Sequence, residues 1–197
     1  MKIPENIEEI AKRPLDYIGF IFYPKSKRFV GDLNISGLPI PSHIQKTGVF
    51  VNEKVEKMQE LAKKHQLDVL QLHGMENPEE CRRLKESGYT IIKAFGVHTD
   101  FDWNTIKPYE EHVDFFLFDT QSPHYGGTGK TFDWTILKAY PSKKPYFLSG
   151  GIDAYNFEEA YHLTDERLYA LDINSRFETE PGIKNIKLID KTLDYIK

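Results

Sequence analysis

Short apolar runs alternate with helical patterns along almost the whole chain. Several of the runs are continuously apolar, which is typical of strands covered on both faces of a sheet. They predict seven strands, at residues 17–22, 46–51, 69–72, 90–95, 113–118, 146–148 and 169–173. A strand followed by a helix about every 20–30 residues is the rhythm of repeated βαβ units.

Capping residues and one-sided apolar positions predict the helices between these strands. Pro4 stands at a first-turn position and is followed by acidic residues, which suit the positive end of a helix dipole. Asn77 and Pro78 open a helix that ends near Gly88. Further helices are predicted at residues 52–65, 153–161 and 183–196, with connectors at 109–112 and 141–144.

Two α/β folds fit this alternation, an open doubly wound sheet and a closed (β/α)8 barrel. The first strand is not followed by the G-x-G-x-x-G loop of a dinucleotide-binding domain. Polar or glycine-rich segments instead follow most strands, at residues 23–28, 73–74, 119–130, 149–151 and 172–176. Functional segments at many strand ends favour the barrel.

The barrel prediction leaves one strand unaccounted for. Seven strands are one fewer than a closed (β/α)8 TIM barrel needs, and the first helix has no strand before it. Met1, Lys2 and Ile3 are too few for a usual strand and loop. We therefore expect one TIM-barrel domain over residues 1–197, with its first strand missing or truncated in this sequence.

Composition narrows the possible partners and compartment. The net charge is −4 and the basic residues are scattered, which argues against nucleic acid or an anionic membrane as the main partner. The single cysteine permits no internal disulfide, which fits a reducing compartment. No apolar run approaches the ~18 residues of a membrane span. The start of the chain does not look like a signal peptide. These features predict a cytoplasmic protein.

Residues 118–134 hold the strongest candidate for catalysis. Asp119 follows an apolar strand, a glycine-rich loop comes next, and Asp133 is a plausible helix cap. A carboxylate at the C-terminal end of a barrel strand is usually catalytic. The alternative is a loop-capping aspartate. The loop does not match a nucleotide P-loop, because position 124 is histidine where that motif needs glycine. It is expected to cover a substrate, with Gly127 among the contacts.

Several motifs, in this order and spacing, resemble those of the phosphoribosylanthranilate isomerase family. They are residues 118–134 together with 19–28, 48–52, 70–74, 148–151, 171–178 and 181–184. The resemblance covers almost the whole chain and implies the TIM barrel. One departure is Asn174-Ser175-Arg176, which replaces the commoner Ser-Ser-Gly of the family.

The resemblance implies an isomerase of tryptophan biosynthesis. Its reaction is the Amadori rearrangement of N-(5-phosphoribosyl)anthranilate to 1-(2-carboxyphenylamino)-1-deoxyribulose 5-phosphate. This chemistry needs an acid, a base and a firm hold on both ends of the substrate, so no cofactor or metal is expected. The expected partner is a small phosphoribosyl substrate, and the expected assembly is a monomer or a homodimer.

The resemblance also assigns roles to single residues. Asp119 would be the acid, and Arg28 would hold the anthranilate side unless it is simply a solvated loop residue. The phosphate would lie on the loops after the last two strands, where glycine amides and a helix start form an anion site. Its candidate contacts are Gly150, Gly151, Asn174 and Ser175, with Arg176 as a further candidate. Asp172 either faces the sugar hydroxyls or orders its loop.

The family's general base is a cysteine in a first-strand segment, Lys-Ile/Val-Cys-Gly-Met/Ile. Here Ile3 is joined directly to Pro4, so roughly seven residues of that pattern are absent from the sequence. The only cysteine, Cys81, falls in a predicted outer helix and is expected to be a buried structural residue. His73 is expected to be packed or hydrogen-bonded rather than a metal ligand. Two possibilities follow: an active isomerase whose base lies outside this sequence, or a catalytically impaired phosphosugar-binding barrel.

Overall fold

A computed structural model of the protein describes residues 1–120 and 133–196. Seven parallel strands form one sheet in sequence order, as the apolar runs predict. They are β1 Tyr17–Ile21, β2 Gln45–Phe50, β3 Val69–Leu72, β4 Thr90–Val97, β5 Phe115–Thr120, β6 Tyr146–Leu148 and β7 Leu168–Leu171. The predicted bounds differ by one or two residues at most ends. The one consequential shift is in β5, which runs far enough to pair Asp119 with Gly96.

The helices pack on the outside of this sheet. They are α1 Pro4–Ile10, α2 Val55–His65, α3 Pro78–Glu86, α4 Phe157–Tyr161 and α5 Ile186–Leu193. The cap predicted at Asn77 is present, because its side chain accepts a hydrogen bond from the Glu80 backbone nitrogen. Short 3₁₀ helices lie at Ile35–Gly37, Trp103–Tyr109, Trp134–Ala139, Ser175–Phe177 and Asp194–Ile196. Asp133 caps the third of them by accepting from the Thr135 nitrogen.

Three predicted helices begin later than the sequence pattern suggests, and the first of them is α2, which starts at Val55 rather than at residue 52. Residues 183 and 184 form strand β9, Ile183–Lys184, which pairs in antiparallel fashion with β8, Glu178–Glu180. Helix α5 starts only after Asn185, whose side chain caps it. Helix α4 starts at Phe157 rather than at Asp153. The Asp153 carboxylate accepts hydrogen bonds from the backbone nitrogens of Tyr155 and Asn156, which forms a turn before the helix.

The sheet curls until its first strand meets its last two. The Tyr17 ring of β1 packs edge-on against Phe147 of β6 at 5.2 Å and against Tyr169 of β7 at 6.4 Å. Backbone pairing does not join β1 to β7 within the described residues. The structure is therefore the predicted α/β barrel, open along a seam between these two strands.

Alternate residues of most strands face two different packing clusters, as the period of a strand requires. The inner cluster fills the barrel and consists of Val69, Ile92, Ala94, Leu117 and Phe147. The outer cluster is much larger and lies between the sheet and the helices, with members such as Ile7, Met58, Leu84, Phe118 and Ile189. Among the described residues, no helix has the length and apolarity that crossing a membrane requires.

Candidate active site

A cavity of about 490 Å³ opens at the carboxyl ends of the strands and extends along the seam. Side chains from widely separated parts of the chain line it, because parallel strands bring their C-terminal ends to one face. Polar members of the lining include Arg28, His73, Asp119, Ser149, Asp172, Asn174 and Lys184. This face therefore gathers most of the residues that sequence reasoning proposed.

Asp119 lies against a histidine at the base of the cavity. Its Oδ2 is 3.4 Å from Nε2 of His73, and both side chains are partly buried. On the other side of the ring, the Gln71 amide nitrogen lies 3.0 Å from Nδ1. An amide nitrogen can only donate, so Nδ1 accepts and the neutral ring carries its proton on Nε2. His73 then directs a donor at the carboxylate, and the prediction of a hydrogen-bonded histidine is confirmed.

Arg28 lies on the loop after β1 and is held by a carboxylate far away in sequence. Its Nε is 2.8 Å from Oε2 of Glu178, and its Nη2 is 2.7 Å from the same oxygen. The Glu178 side chain is only 4% exposed. Burial alone would raise the pKa of Glu178, but the Arg28 hydrogen bonds and the charge of Lys184 outweigh it and lower the pKa.

Lys184 connects this ion pair to the loop after β7. Its Nζ donates to the backbone oxygens of Ile173 and Asn174 and to Oδ1 of Asn174, at 3.3, 3.2 and 3.0 Å. The same nitrogen lies 3.5 Å from Oε1 of Glu178. Burial lowers the pKa of Lys184, and the Glu178 charge opposes that shift. The arginine and the Asn174 loop are thus tied to one another.

Asp172 also faces the cavity, at the end of β7. Ser149 donates from Oγ to its Oδ2 at 3.1 Å, which joins the ends of β6 and β7. Burial raises the pKa of Asp172; the positive charge of Lys184 opposes this shift, and the negative charge of Asp119 adds to it. The sequence left open whether Asp172 contacts a ligand or orders its loop, and its hydrogen bond with Ser149 is consistent with both roles.

The loop after β6 presents its backbone to the cavity. Gly150 and Gly151 both line it with positive φ, at 85° and 70°, a conformation that side chains disfavour. Ser175 starts a 3₁₀ helix and lines the cavity, whereas Arg176 is exposed and is not part of the lining. Gly127 and the rest of the glycine-rich loop lie outside the described residues. The substrate-binding roles proposed for these residues remain predictions.

Cys81 lies on the buried face of α3, is fully buried in the outer cluster and does not line the cavity. Burial raises the pKa of its thiol to about 12. The prediction of a structural cysteine is confirmed. Among the described residues, no three side chains of the histidine, cysteine, aspartate or glutamate types are grouped to hold a metal ion.

Sequence reasoning missed three polar residues of this site: Gln71, Glu178 and Lys184. All three lie inside the motifs that carry the family resemblance. The motifs therefore pointed to these segments but did not indicate a role for these three side chains. Gln71 is a polar residue within a short apolar strand, and Glu178 and Lys184 lie close together on the β8–β9 hairpin. A buried position for a charged residue can be recognised only once its partner is known.

Comparisons with known proteins identify relatives over the whole chain. The family model described as N-(5'phosphoribosyl)anthranilate (PRA) isomerase matches residues 1–195. The N-(5'-phosphoribosyl)anthranilate isomerase of Parabacteroides distasonis is 45% identical over 200 aligned residues, covering 100% of this chain and 89% of that protein. The corresponding protein of Phocaeicola vulgatus is 40% identical, covering 100% and 95%.

Solved structures give the same result. The crystal structure of phosphoribosyl anthranilate isomerase from Thermotoga maritima superposes with a TM-score of 0.88 at 35% identity, covering 99% of this chain and 94% of that one. A phosphoribosyl anthranilate isomerase in complex with reduced 1-(o-carboxyphenylamino)-1-deoxyribulose 5-phosphate superposes with a TM-score of 0.84 at 31% identity, with the same coverage.

Proposed function

Because the chain belongs to the N-(5'-phosphoribosyl)anthranilate isomerase family, we propose that it isomerises N-(5-phosphoribosyl)anthranilate to 1-(2-carboxyphenylamino)-1-deoxyribulose 5-phosphate in tryptophan biosynthesis. The observation that carries the proposal is the family match over residues 1–195, joined to a cavity that holds Asp119 at the C-terminal face of the barrel. The reaction protonates the furanose ring oxygen, opens the ring to a Schiff base and removes the proton from C2.

Asp119 is the acid in this proposal. Its carboxyl group would give a proton to the ring oxygen as the C–O bond breaks, and the carboxylate that remains would then accept from His73 Nε2. General acid catalysis of this kind contributes about 10²–10⁴-fold in rate. His73 contacts Asp119 at 3.4 Å and is therefore placed to orient the carboxyl group.

The two ends of the substrate carry negative charge, and the cavity offers groups for each. Arg28 is suited to the anthranilate carboxylate, because a guanidinium can donate two parallel hydrogen bonds. The phosphate is assigned to Gly150, Gly151, Asn174 and Ser175, and Gly127 belongs to the loop proposed to cover the substrate. In this proposal Asp172 either faces the ribose hydroxyls or orders its loop. We also propose that residues 1–197 act as one cytoplasmic domain, as a monomer or a homodimer, without metal or cofactor.

The general base requires a separate argument. Among the described residues no cysteine lines the cavity, and the family pattern places its cysteine in a segment that ends Lys-Ile/Val-Cys-Gly-Met/Ile. Met1 lines the cavity beside β1, and its nitrogen donates to the Gly19 oxygen at 2.7 Å. Residues placed before Met1 would enter the seam between β1 and β7. An extension ending Lys-Val-Cys-Gly would reproduce the family order with Met1 as its last residue, and Lys2 and Ile3 would then form the loop before Pro4.

A comparison of three proteins tests the function and its base. They are the chain itself, the chain extended by a seven-residue segment ending Lys-Val-Cys-Gly, and the same extension with serine for cysteine. We expect the cysteine extension to exceed the serine extension by about 10²–10⁴-fold in turnover, measured by the loss of substrate fluorescence. No turnover by the cysteine extension would contradict the proposed function.

The acid is tested in the most active of these proteins. We expect Asp119→Asn to lower kcat by about 10²–10⁴-fold while affinity for the reduced product analogue stays within a few-fold. Asp114→Asn is the matched control, because Asp114 precedes the same strand at its opposite end. Wild-type turnover in Asp119→Asn would refute the assignment.

A further inference from the structure

Glu178 occupies only one edge of the Arg28 guanidinium. A guanidinium has a side edge, formed by Nε and Nη2, and an end edge, formed by Nη1 and Nη2, and each can bind a carboxylate. Glu178 lies on the side edge, at 2.8 Å from Nε and 2.7 Å from Nη2. Within the described residues, Nη1 makes no hydrogen bond to the protein. The end edge is therefore available in a residue that lines the cavity.

Glu178 is itself fixed from behind. Its side chain is buried in the short β8–β9 hairpin, and Lys184, its partner on β9, lies 3.5 Å from Oε1. Lys184 also donates to Oδ1 of Asn174 at 3.0 Å. A long arginine side chain gives up considerable rotamer freedom when it is held in one place. The Glu178 contact removes that freedom before a ligand arrives.

We propose that Glu178 is a positioning residue, which fixes Arg28 by its side edge so that the end edge receives the anthranilate carboxylate. The inference rests on the proposed function and adds a specificity device to it. Lys184 holds the loop assigned to the phosphate by its own hydrogen bonds to Ile173 and Asn174, so the separation between the arginine and that loop is set before a ligand arrives. The site would then select substrates by the separation of their two anionic ends.

A purely structural ion pair is the competing explanation, and the two differ in what they predict. Loss of a structural pair weakens every ligand of the site to the same extent. Loss of a positioning residue weakens only ligands whose carboxylate uses Arg28. A pair of ligands that differ only in that carboxylate therefore separates the explanations.

The experiment measures the affinity of two analogues by calorimetry. One is reduced 1-(o-carboxyphenylamino)-1-deoxyribulose 5-phosphate, and the other is the same molecule without its carboxylate. We expect Glu178→Gln to weaken the first by about tenfold to a hundredfold and to leave the second within about twofold. Glu180→Gln, an exposed change in the same hairpin, is expected to alter neither.

A double-mutant cycle and a conservative variant complete the test. In an Arg28→Ala background, Glu178→Gln should no longer change the ratio of the two affinities. Glu178→Asp keeps the charge and should give an intermediate ratio, which also serves if the glutamine variant does not fold. If Glu178→Gln weakens both analogues equally, or weakens neither, the ratio of their affinities is unchanged. That result would overturn the positioning role of Glu178 and leave the proposed function standing. If the unmodified protein binds neither analogue, the proposed function fails together with it.

Discussion

The buried ion pair between Lys93 and Glu76 gives the sharpest prediction for stability. The two side chains are 2% and 1% exposed, and Lys93 Nζ is 3.0 Å from Oε2 of Glu76. The same nitrogen donates to the backbone oxygens of Leu72 at 3.1 Å and Gly74 at 2.7 Å. Glu76 in turn accepts from the nitrogens of Asn52 at 2.7 Å and Gly74 at 2.9 Å. The pair thus joins two loops of the catalytic face.

Glu76→Gln is the perturbation of choice because it preserves shape. Whichever way the amide turns, its NH₂ group faces either the Asn52 nitrogen or both Lys93 and Gly74, so donors meet donors. The change leaves the Lys93 charge buried without its carboxylate, and breaking such a pair costs about 3–5 kcal/mol. In a domain of this size, each kcal/mol lowers the melting temperature by about 2–4 °C, which gives a decrease of about 6–20 °C.

Urea denaturation followed by circular dichroism measures this loss. The double variant Glu76→Gln/Lys93→Met should lose less free energy of unfolding than the sum of its single variants, because the second change removes the stranded charge. Lys85→Met is the control, since Lys85 and Asp114 form a surface pair whose loss should cost about 1 kcal/mol or less. A loss below about 1 kcal/mol in Glu76→Gln, or strict additivity in the double variant, would refute the reasoning.

Three further predictions follow from groups outside the proposed ligand contacts. Burial and a raised pKa should keep the Cys81 thiol unreactive towards a disulfide reagent at mild alkaline pH until urea unfolds the protein, and rapid native-state labelling would contradict this. Hydrogen bonds from Arg167 lower the pKa of Asp165, so its contribution to stability is complete above its ordinary value of 3.8 and is lost as the pH falls through the lower native value. Asp165→Asn should therefore destabilise the protein most near neutral pH, and a difference from wild type that is constant down to about pH 2 would refute this. Gly74→Ala should cost about 1–3 kcal/mol of stability in a thermal melt, because the added Cβ would lie 2.7 Å from the Asn52 backbone nitrogen; an unchanged melting temperature would argue against that close approach.

The strands were predictable because their signal is local. Val69–Leu72 and Tyr146–Leu148 have the bounds that their apolar runs indicate. The helix predicted from residue 183 was wrong at its start, since Ile183 and Lys184 pair with β8 instead of continuing the apolar pattern of α5. A pairing between segments is decided by tertiary contact, and a pattern read along one segment does not contain it.

The candidate site was predictable only in part, for a related reason. Asp119 and Arg28 could be named because Asp119 lies at the end of an apolar strand and Arg28 in a recognisable loop after one. Their partners could not, since the chain separates Arg28 from Glu178 by 150 residues and nothing near Arg28 marks the connection. The open seam was foreseeable from the missing strand, whereas the Tyr17 contacts that border it depend on how far the sheet curls.

The unequal size of the two packing clusters has a consequence for evolution. Most of the buried apolar surface lies between the sheet and the helices, and only a few side chains fill the barrel around the cavity. Substitutions of these few inward-facing side chains therefore remove little of the burial on which folding depends. A lineage built on this scaffold can exchange its inward-facing residues and acquire new substrates while the fold persists. The same property recommends the protein as a parent for laboratory selection of altered phosphosugar isomerases.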